Sequence, residues 1–321
     1  MKVYLKENCD IDEIKEKLDA NNVFFEVHKI DDKLVLFVDD LYLKEIKQII
    51  DSRLIEEISP IYDLKLTLRL NHPDDTIIKV KNLEIGGKKK IIIAGPCAVE
   101  NEESMKKIGS LIKECGAHIL RGGAFKPRTN PYSFQGLQED GLNVLKMIGD
   151  ECNIPIVSEI TNADYLEKFV ECVDIIQVGA RNMQNFALLE KLGKTNKPIL
   201  LKRGFNNTIE ELLCSAEYIM KNGNHQVILC ERGIRTPLSY TRSTLDLSSV
   251  AVLKELTHLP VIVDPSHGTG KRKLVFPMSR AALSAGADGL MFEAHITPNK
   301  ALSDSEETIS LEELAQIIKS I

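Results

Sequence analysis

Two hydrophobic patterns divide the chain. In the first 70 residues, apolar positions at helical spacing within 11–18 and 42–50 are flanked by short apolar runs, KVYLK (2–6), VFFEVHKI (23–30), KLVLFV (33–38) and LIEEISPI (54–61). This alternation predicts the order β-α-β-β-α-β, which is the ferredoxin-like unit. We therefore expect a small α+β domain over residues 1–70, followed by a linker over 71–82 that begins with NHPDD.

From residue 91 the pattern becomes a repeat of strand and then helix. Eight apolar runs end in polar residues, at 91–95, 118–123, 154–159, 174–179, 198–204, 226–233, 260–266 and 289–295. Eight βα units predict a (β/α)₈ barrel, here over residues 83–321. A doubly wound open sheet is the alternative, and the polar residue after nearly every strand disfavours it. A hairpin turning at Gly86–Gly87 is expected just before the barrel.

Basic residues recur at or just after the predicted strands. They are Arg121, Lys126, Arg128, Arg181, Lys202 and Arg232. Any one of them alone would most simply be a solvated surface residue. In a barrel, however, the carboxyl ends of all strands meet at one face, so the six would converge there. Guanidinium and ammonium groups bind phosphate and carboxylate, and six exceed what one dianion needs. The pattern therefore predicts two anionic, phosphorylated substrates.

Four further side chains lie at or just past the first, seventh and eighth strands of the barrel. They are Cys97, His267, Glu293 and Asp304. A thiolate, an imidazole and two carboxylates form a plausible transition-metal shell, which could accept one divalent ion such as Mn, Fe, Co, Zn or Cu. Closing the barrel makes strands 1 and 8 neighbours, whereas an open sheet does not, so fold and site support each other.

Composition narrows the function class. The net charge is −6, and residues 1–70 hold 11 Lys and Arg against 16 Asp and Glu, which argues against a nucleic-acid partner. No apolar run approaches the roughly 20 residues that span a bilayer, and the N-terminus lacks an apolar signal segment. Seven cysteines without a CxxC pair do not predict a disulfide framework. We expect a cytoplasmic enzyme without a membrane partner.

Eight short strings carry a family resemblance, namely AGPC, LRGGAFKPRT, NPYSFQG, GARN, KPILLKRG, ILCERGIRT, VDPSHGTG and ALSD. From about residue 83 to 320 the chain resembles the 3-deoxy-D-arabino-heptulosonate 7-phosphate (DAHP) synthases. It is most similar to the subgroup with an N-terminal ferredoxin-like regulatory domain. The resemblance implies a metal-dependent condensation of phosphoenolpyruvate with erythrose 4-phosphate, which releases phosphate, and a homotetramer. It also implies feedback inhibition by Tyr or Phe through the N-terminal domain.

The resemblance also implies residue roles. The expected metal ligands are Cys97, His267, Glu293 and Asp304, and the expected phosphoenolpyruvate-binding residues are Arg121, Lys126, Arg181, Lys202 and Arg232. Arg128 and Thr129 of KPRT would bind erythrose 4-phosphate, while Glu159, Gln177 and Ala180 would line the same pocket. Lys126 is the candidate for proton transfer near the carbonyl, and with Cys97 and His267 it completes the expected catalytic set.

Other functions stay open at this point. The sibling 3-deoxy-D-manno-octulosonate 8-phosphate synthase would use arabinose 5-phosphate, but it resembles KANRS where this chain has KPRT. A Schiff-base aldolase with Lys202 as nucleophile would leave Arg203 and the metal set unexplained. A regulatory protein with a vestigial barrel would have no need of the full set of site residues. The N-terminal domain could cover the barrel mouth when an effector binds, or it could only help to assemble the oligomer.

Overall fold

A computed structural model describes residues 1–30, 32–59, 64–128 and 130–321. The first 59 residues form a four-stranded antiparallel sheet in the order β2-β3-β1-β4, against which two helices pack. The elements are β1 Lys2–Leu5, α1 Ile11–Ala20, β2 Phe25–Ile30, β3 Lys33–Val38, α2 Leu43–Ile49 and β4 Ile55–Ser59. The predicted ferredoxin-like order is confirmed. Residues 60 and 61 of the predicted run 54–61, and residue 31 between the runs 23–30 and 33–38, lie outside the described residues.

Eight parallel strands close into a barrel. They are β7 Ile91–Gly95, β8 Ile119–Arg121, β9 Ile156–Ile160, β10 Ile175–Val178, β11 Ile199–Lys202, β12 Val227–Glu231, β13 Val261–Val263 and β14 Gly289–Glu293. The last strand pairs with the first from Gly289↔Ile91 to Glu293↔Gly95, which excludes the open sheet. Each predicted barrel strand is confirmed. The prediction succeeded because a strand buried on both faces is a continuous apolar run in the sequence.

Helices surround the barrel. They are α3 Glu102–Glu114, α4 Gln138–Glu151, α5 Leu166–Cys172, α6 Phe186–Leu192, α7 Ile209–Lys221, α8 Leu247–Leu256, α9 Pro265–Thr269, α10 Arg272–Ser284 and α11 Leu311–Lys319. Their apolar faces join the outward-facing strand residues in one large core. Within the described ranges, no helix combines the length and the apolar character needed to cross a bilayer.

A hairpin, β5 Ile78–Val80 with β6 Leu83–Ile85, precedes the barrel and fills its N-terminal end. The prediction that the turn falls at Gly86–Gly87 is wrong, because the strands pair across Lys81, whose φ is +51°. Gly86 instead allows its backbone to pack closely against Thr76, since a Cβ at position 86 would lie 2.5 Å from the Thr76 carbonyl oxygen. The hairpin begins inside the predicted 71–82 linker, and the limits of the two domains stay a prediction.

The segment between the two domains is tied to the barrel surface. The carboxylate of Glu217 on α7 accepts hydrogen bonds of 2.8–3.1 Å from the backbone N–H groups of residues 65–67. Lys44 of the N-terminal domain pairs with Glu255 at the end of α8. Since α8 runs back from the carboxyl to the amino ends of the strands, this contact is remote from the barrel mouth. Among the described residues of this one chain, these contacts join the N-terminal domain and the following segment to the side of the barrel away from its mouth.

Candidate active site

The closed barrel brings four chemically distinct donors together at the carboxyl ends of its strands. Cys97 follows β7, His267 lies on α9, Glu293 ends β14, and Asp304 lies in the loop that follows. One ligand atom from each lies within 4.8 Å of all the others. The Cys97 thiol donates to Asp304 Oδ2 at 2.9 Å, and His267 Nε2 lies 3.1 Å from Glu293 Oε1. The structure thus places the four predicted metal ligands in one cluster.

Asp264, which sequence reasoning did not single out, orients this cluster from behind. Its fully buried carboxylate accepts from His267 Nδ1 at 2.6 Å and from Lys202 Nζ at 2.6 Å. A hydrogen bond at Nδ1 fixes the imidazole so that Nε2 faces Glu293. Asp264 also caps α9 by accepting from the backbone N–H of His267. An Asp followed by Pro is a helix-start signature, and it could have identified this residue.

The chemistry of the donor set fits a divalent transition metal. A sulfur, an imidazole nitrogen and carboxylate oxygens form a mixed soft and hard shell. Glu293 Oε2 is buried without a hydrogen-bond partner among the described residues, and such an acceptor calls for a cation. Burial lowers the pKa of His267, but the charges of Asp264 and Glu293 outweigh it and raise the pKa to about 10. The cluster therefore attracts positive charge.

Two of the predicted basic residues donate hydrogen bonds to side chains of this cluster. Lys126 Nζ donates to the Cys97 carbonyl oxygen at 3.1 Å and to its Sγ at 2.9 Å. Arg121 donates to Glu293 Oε1 at 2.9 Å, and both side chains are nearly inaccessible to solvent. Burial raises the pKa of the Cys97 thiol and Glu293 adds to this, while the nearby ammonium of Lys126 lowers it. The positive charges of Lys126 and Arg121 thus stabilise negative charge in the cluster, in surroundings that are largely inaccessible to solvent.

A cavity of about 430 Å³ opens beside the cluster. The predicted residues among its lining are Lys126, Arg128, Glu159, Ala180, Arg181, Lys202, Arg232, His267 and Asp304. Gln177 stands behind this lining and donates to Glu159 Oε2 at 2.8 Å. Thr129 lies outside the described residues. Lining residues that sequence reasoning missed are Asn130, Ser133, Phe205, Arg235, Arg242 and Ser243.

Phe205 organises the basic wall of this cavity. The guanidinium carbons of Arg181, Arg232 and Arg235 lie 5.5, 4.9 and 4.9 Å from the centroid of its ring. Cation–π attraction offsets part of the repulsion between these like charges. Three guanidinium groups around one ring make a positively charged wall, suited to a phosphate or carboxylate. Phe205 follows the predicted Lys202 by three residues, but an isolated aromatic carries no sequence signature of this role.

Comparison with known proteins assigns the family. The model of the DAHP synthetase I family matches residues 75–321 of this chain. The chain belongs to the DAHP synthetase I family. A phospho-2-dehydro-3-deoxyheptonate aldolase from Thermotoga maritima is 51% identical over 257 residues, which cover 80% of this chain and 76% of that protein. The family predicted from the sequence strings is therefore confirmed.

Solved structures of this family extend the similarity to the whole chain. A crystal structure of the Thermotoga maritima DAHP synthase superposes with a TM-score of 0.79 at 44% identity, covering 99% of this chain and 96% of that one. A truncated form of the same enzyme covers 80% of this chain and 96% of its own, with a TM-score of 0.75 and 49% identity. A 2-dehydro-3-deoxyphosphooctonate aldolase from Geobacter sulfurreducens is 28% identical, covering 76% of this chain and 96% of that protein. The heptulosonate enzymes are thus far more similar than this octulosonate enzyme.

Proposed function

We propose that this member of the DAHP synthetase I family condenses phosphoenolpyruvate with erythrose 4-phosphate and releases inorganic phosphate. The observation that carries the proposal is the joint placement of a sulfur, nitrogen and oxygen cluster and a strongly basic cavity at one barrel face. The 51% identity to a phospho-2-dehydro-3-deoxyheptonate aldolase supports this choice of substrates over those of the octulosonate enzyme.

The proposed cofactor is one divalent metal ion, held by Cys97, His267, Glu293 and Asp304. When bound, it would supply Lewis-acid polarisation of the aldehyde oxygen of erythrose 4-phosphate. Asp264 keeps the Nε2 atom of His267 directed at the site. The metal identity follows from availability as much as from the donor set, so Mn, Fe, Co, Zn and Cu remain candidates.

The buried cations would bind phosphoenolpyruvate. Arg121, Lys202 and Arg232 are each 4% exposed, and Arg232 together with Arg181 forms part of the wall around Phe205. Together they would bind the phosphate and carboxylate and hold the enol carbon facing the aldehyde. Such positioning can lower a barrier by roughly 7–11 kcal/mol. Arg128, with Thr129, would bind the phosphate of erythrose 4-phosphate nearer the rim.

Lys126 is the proposed proton-transfer group near the carbonyl. Its Nζ lies 2.9 Å from Cys97 Sγ and therefore beside the place where the aldehyde oxygen would be held. Replacing it with methionine keeps the length of the side chain and removes the ammonium. We expect Lys126→Met to lower kcat by roughly 10²–10⁴-fold, the usual contribution of general acid–base catalysis. A near-normal kcat would contradict this role.

A Schiff-base mechanism receives no support from the geometry. The Nζ of Lys202 forms an ion pair with the buried carboxylate of Asp264 at 2.6 Å, so it is engaged as a cation and not free as a nucleophilic amine. Borohydride trapping with substrate present should leave the protein unmodified. The appearance of a borohydride-stable adduct on Lys202 would revive the aldolase alternative.

The regulatory and assembly roles complete the proposal. The N-terminal domain would bind Tyr or Phe as a feedback effector, the active form would be a homotetramer, and the enzyme would work in the cytoplasm. A ligand inhibits in this way only if it binds one domain arrangement better than another. We expect saturating Tyr or Phe to lower activity and to change the melting temperature. The absence of both effects would leave this domain with an assembly role alone.

The decisive experiment measures phosphate release from phosphoenolpyruvate with erythrose 4-phosphate, before and after chelation, with arabinose 5-phosphate as the comparison sugar. The proposal expects turnover with erythrose 4-phosphate, its loss on chelation and its recovery on adding metal. Turnover with arabinose 5-phosphate alone would move the assignment to the octulosonate reaction. Full activity after complete metal removal would refute the four-ligand site.

A further inference from the structure

Arg242 joins three elements around the candidate metal ligands, although no sequence pattern singled it out. It lies between β12 and α8, and its backbone N–H donates to the Thr269 carbonyl oxygen at the end of α9, the helix that carries His267. A Cβ added at Gly270, whose φ is +66°, would lie only 2.5 Å from the Cβ of Arg242. Glycine at position 270 therefore lets Arg242 pack closely against the end of α9.

The side chain of Arg242 spans two carboxylates. Its NH1 donates to Asp304 Oδ1 at 2.9 Å and lies 2.5 Å from Glu307 Oε1. Glu307 is only 3% exposed, and its Oε1 faces the guanidinium without a hydrogen bond from any described residue, so the hydrogen bond to Asp304 is the contact that fixes Arg242. Arg242 and Asp304 also line both the main cavity and a second cavity of about 410 Å³ beside it. The ion pair thus forms part of the wall between the two.

This contact sets the orientation of Asp304. While Oδ1 accepts from Arg242, Oδ2 accepts from the Cys97 thiol at 2.9 Å, so the two oxygens have different partners. The backbone of Asp304 is also fixed, with φ of +52° and with its carbonyl oxygen accepting from the hydroxyl of Thr308 at 2.7 Å. Such a left-handed conformation is unfavourable for a residue with a side chain and persists where its surroundings enforce it.

We propose that Arg242 is a positioning residue for the metal site: by bridging Asp304 and Glu307, it directs Oδ2 of Asp304 toward the other three ligands and thereby raises metal affinity. This inference rests on the proposed metal-binding function. Partners that orient a metal ligand typically contribute 10–100-fold to affinity. Arg242 acts here through Asp304, and its planar guanidinium can serve two carboxylates at once.

The test titrates Co²⁺ into chelator-stripped protein and follows the thiolate-to-cobalt absorption band, which reports binding at Cys97 without turnover. We expect Arg242→Met to raise the Co²⁺ dissociation constant by roughly 10–100-fold. Arg242→Lys should restore part of the affinity, because its ammonium keeps the positive charge but lacks the planar, preorganised guanidinium. Arg280→Met, which removes an exposed arginine of α10, is the matched control and should bind Co²⁺ like the wild type.

Activity measurements separate this role from direct substrate binding. Added metal should bring kcat of Arg242→Met back toward the wild-type value, and any change in KM should be smaller than the change in the Co²⁺ dissociation constant. An unchanged dissociation constant with a raised KM would overturn the proposal and make Arg242 a substrate-binding residue. Should Arg242→Met not fold, Arg242→Lys decides, since a wild-type dissociation constant in that variant would overturn the bridging role. Absence of the cobalt band in the wild type itself would instead refute the proposed metal site.

Discussion

Replacing Asp264 with asparagine should weaken both the metal cluster and the position of Lys202 beside it. Asp264 is fully buried and is shared by two cationic groups, His267 Nδ1 and Lys202 Nζ, each at 2.6 Å. The amide of asparagine has the same shape but no charge. Both donors bind one oxygen, Oδ2, while Oδ1 accepts from the backbone N–H of His267, so in either orientation the NH₂ group of asparagine would face a donor.

The magnitude follows from these contacts. Breaking one partner of a buried ion pair leaves an uncompensated charge, which costs about 3–5 kcal/mol. We therefore expect the metal-free variant to lose about that much free energy of unfolding near neutral pH. Loss of the carboxylate behind a histidine ligand typically lowers metal affinity by 10–100-fold, or about 1.4–2.7 kcal/mol. The substitution should also raise the KM for phosphoenolpyruvate, because Lys202 is no longer held in place by Asp264.

Three measurements check this prediction: urea unfolding of the metal-free protein, Co²⁺ titration, and the KM for phosphoenolpyruvate at saturating metal. Asp288→Asn is the matched control. Asp288 is also buried and pairs with Lys254 at 2.9 Å, but it precedes β14 and so lies at the opposite end of the barrel. It should lower stability and leave metal affinity unchanged. The reasoning fails if Asp264→Asn binds Co²⁺ as tightly as Asp288→Asn does.

Three further predictions concern the elements that support the barrel. Ile85→Ala should lower the free energy of unfolding by about 2–5 kcal/mol in urea titrations, because Ile85 is fully buried in the barrel end. As the control, Ile77→Ala at a half-exposed position should lower it by under about 0.5 kcal/mol. Glu217→Gln should speed proteolysis within residues 64–70, since the charged acceptor of three backbone N–H groups is lost; an unchanged cleavage rate would contradict this. His258, whose pKa burial lowers, is neutral in the fold, so its contribution to stability is present above about pH 6.5 and is lost as the pH falls. His258→Gln should abolish that part of the pH dependence of the melting temperature, and parallel pH curves for the two proteins would refute it.

Sequence reasoning succeeded where chemistry and periodicity coincide. The barrel strands are apolar runs that end in a polar residue, and ring closure then brings Cys97 next to Glu293 without further information. Asp264, Phe205 and Arg242 were missed because their roles depend on contacts with groups remote in sequence or on an environment that residue type does not encode. Arg242 reaches Asp304 across 62 positions, and only the folded loops show that the two side chains meet.

The error in the hairpin shows a different limit. Two adjacent glycines are a stronger turn signature than Lys81–Asn82, so local propensity favoured the wrong position. Packing decided otherwise: the alternation of Ile78, Val80 and Ile85 places apolar side chains in the barrel end only if the strands reverse at Lys81. Tertiary burial outweighed the modest cost of a left-handed lysine.

The hairpin that fills the N-terminal end of the barrel also limits the route by which molecules enter and leave the cavity. With that end occupied by Ile78, Val80 and Ile85, the cavity opens to solvent at the opposite face of the barrel, where Arg128 is part of its lining. A substrate bound at the proposed cations Arg121 and Lys202 would have to enter before the second substrate occupies the cavity mouth, and its product would have to leave after the mouth is free. A single opening would thus impose ordered binding and release on the two substrates by geometry alone.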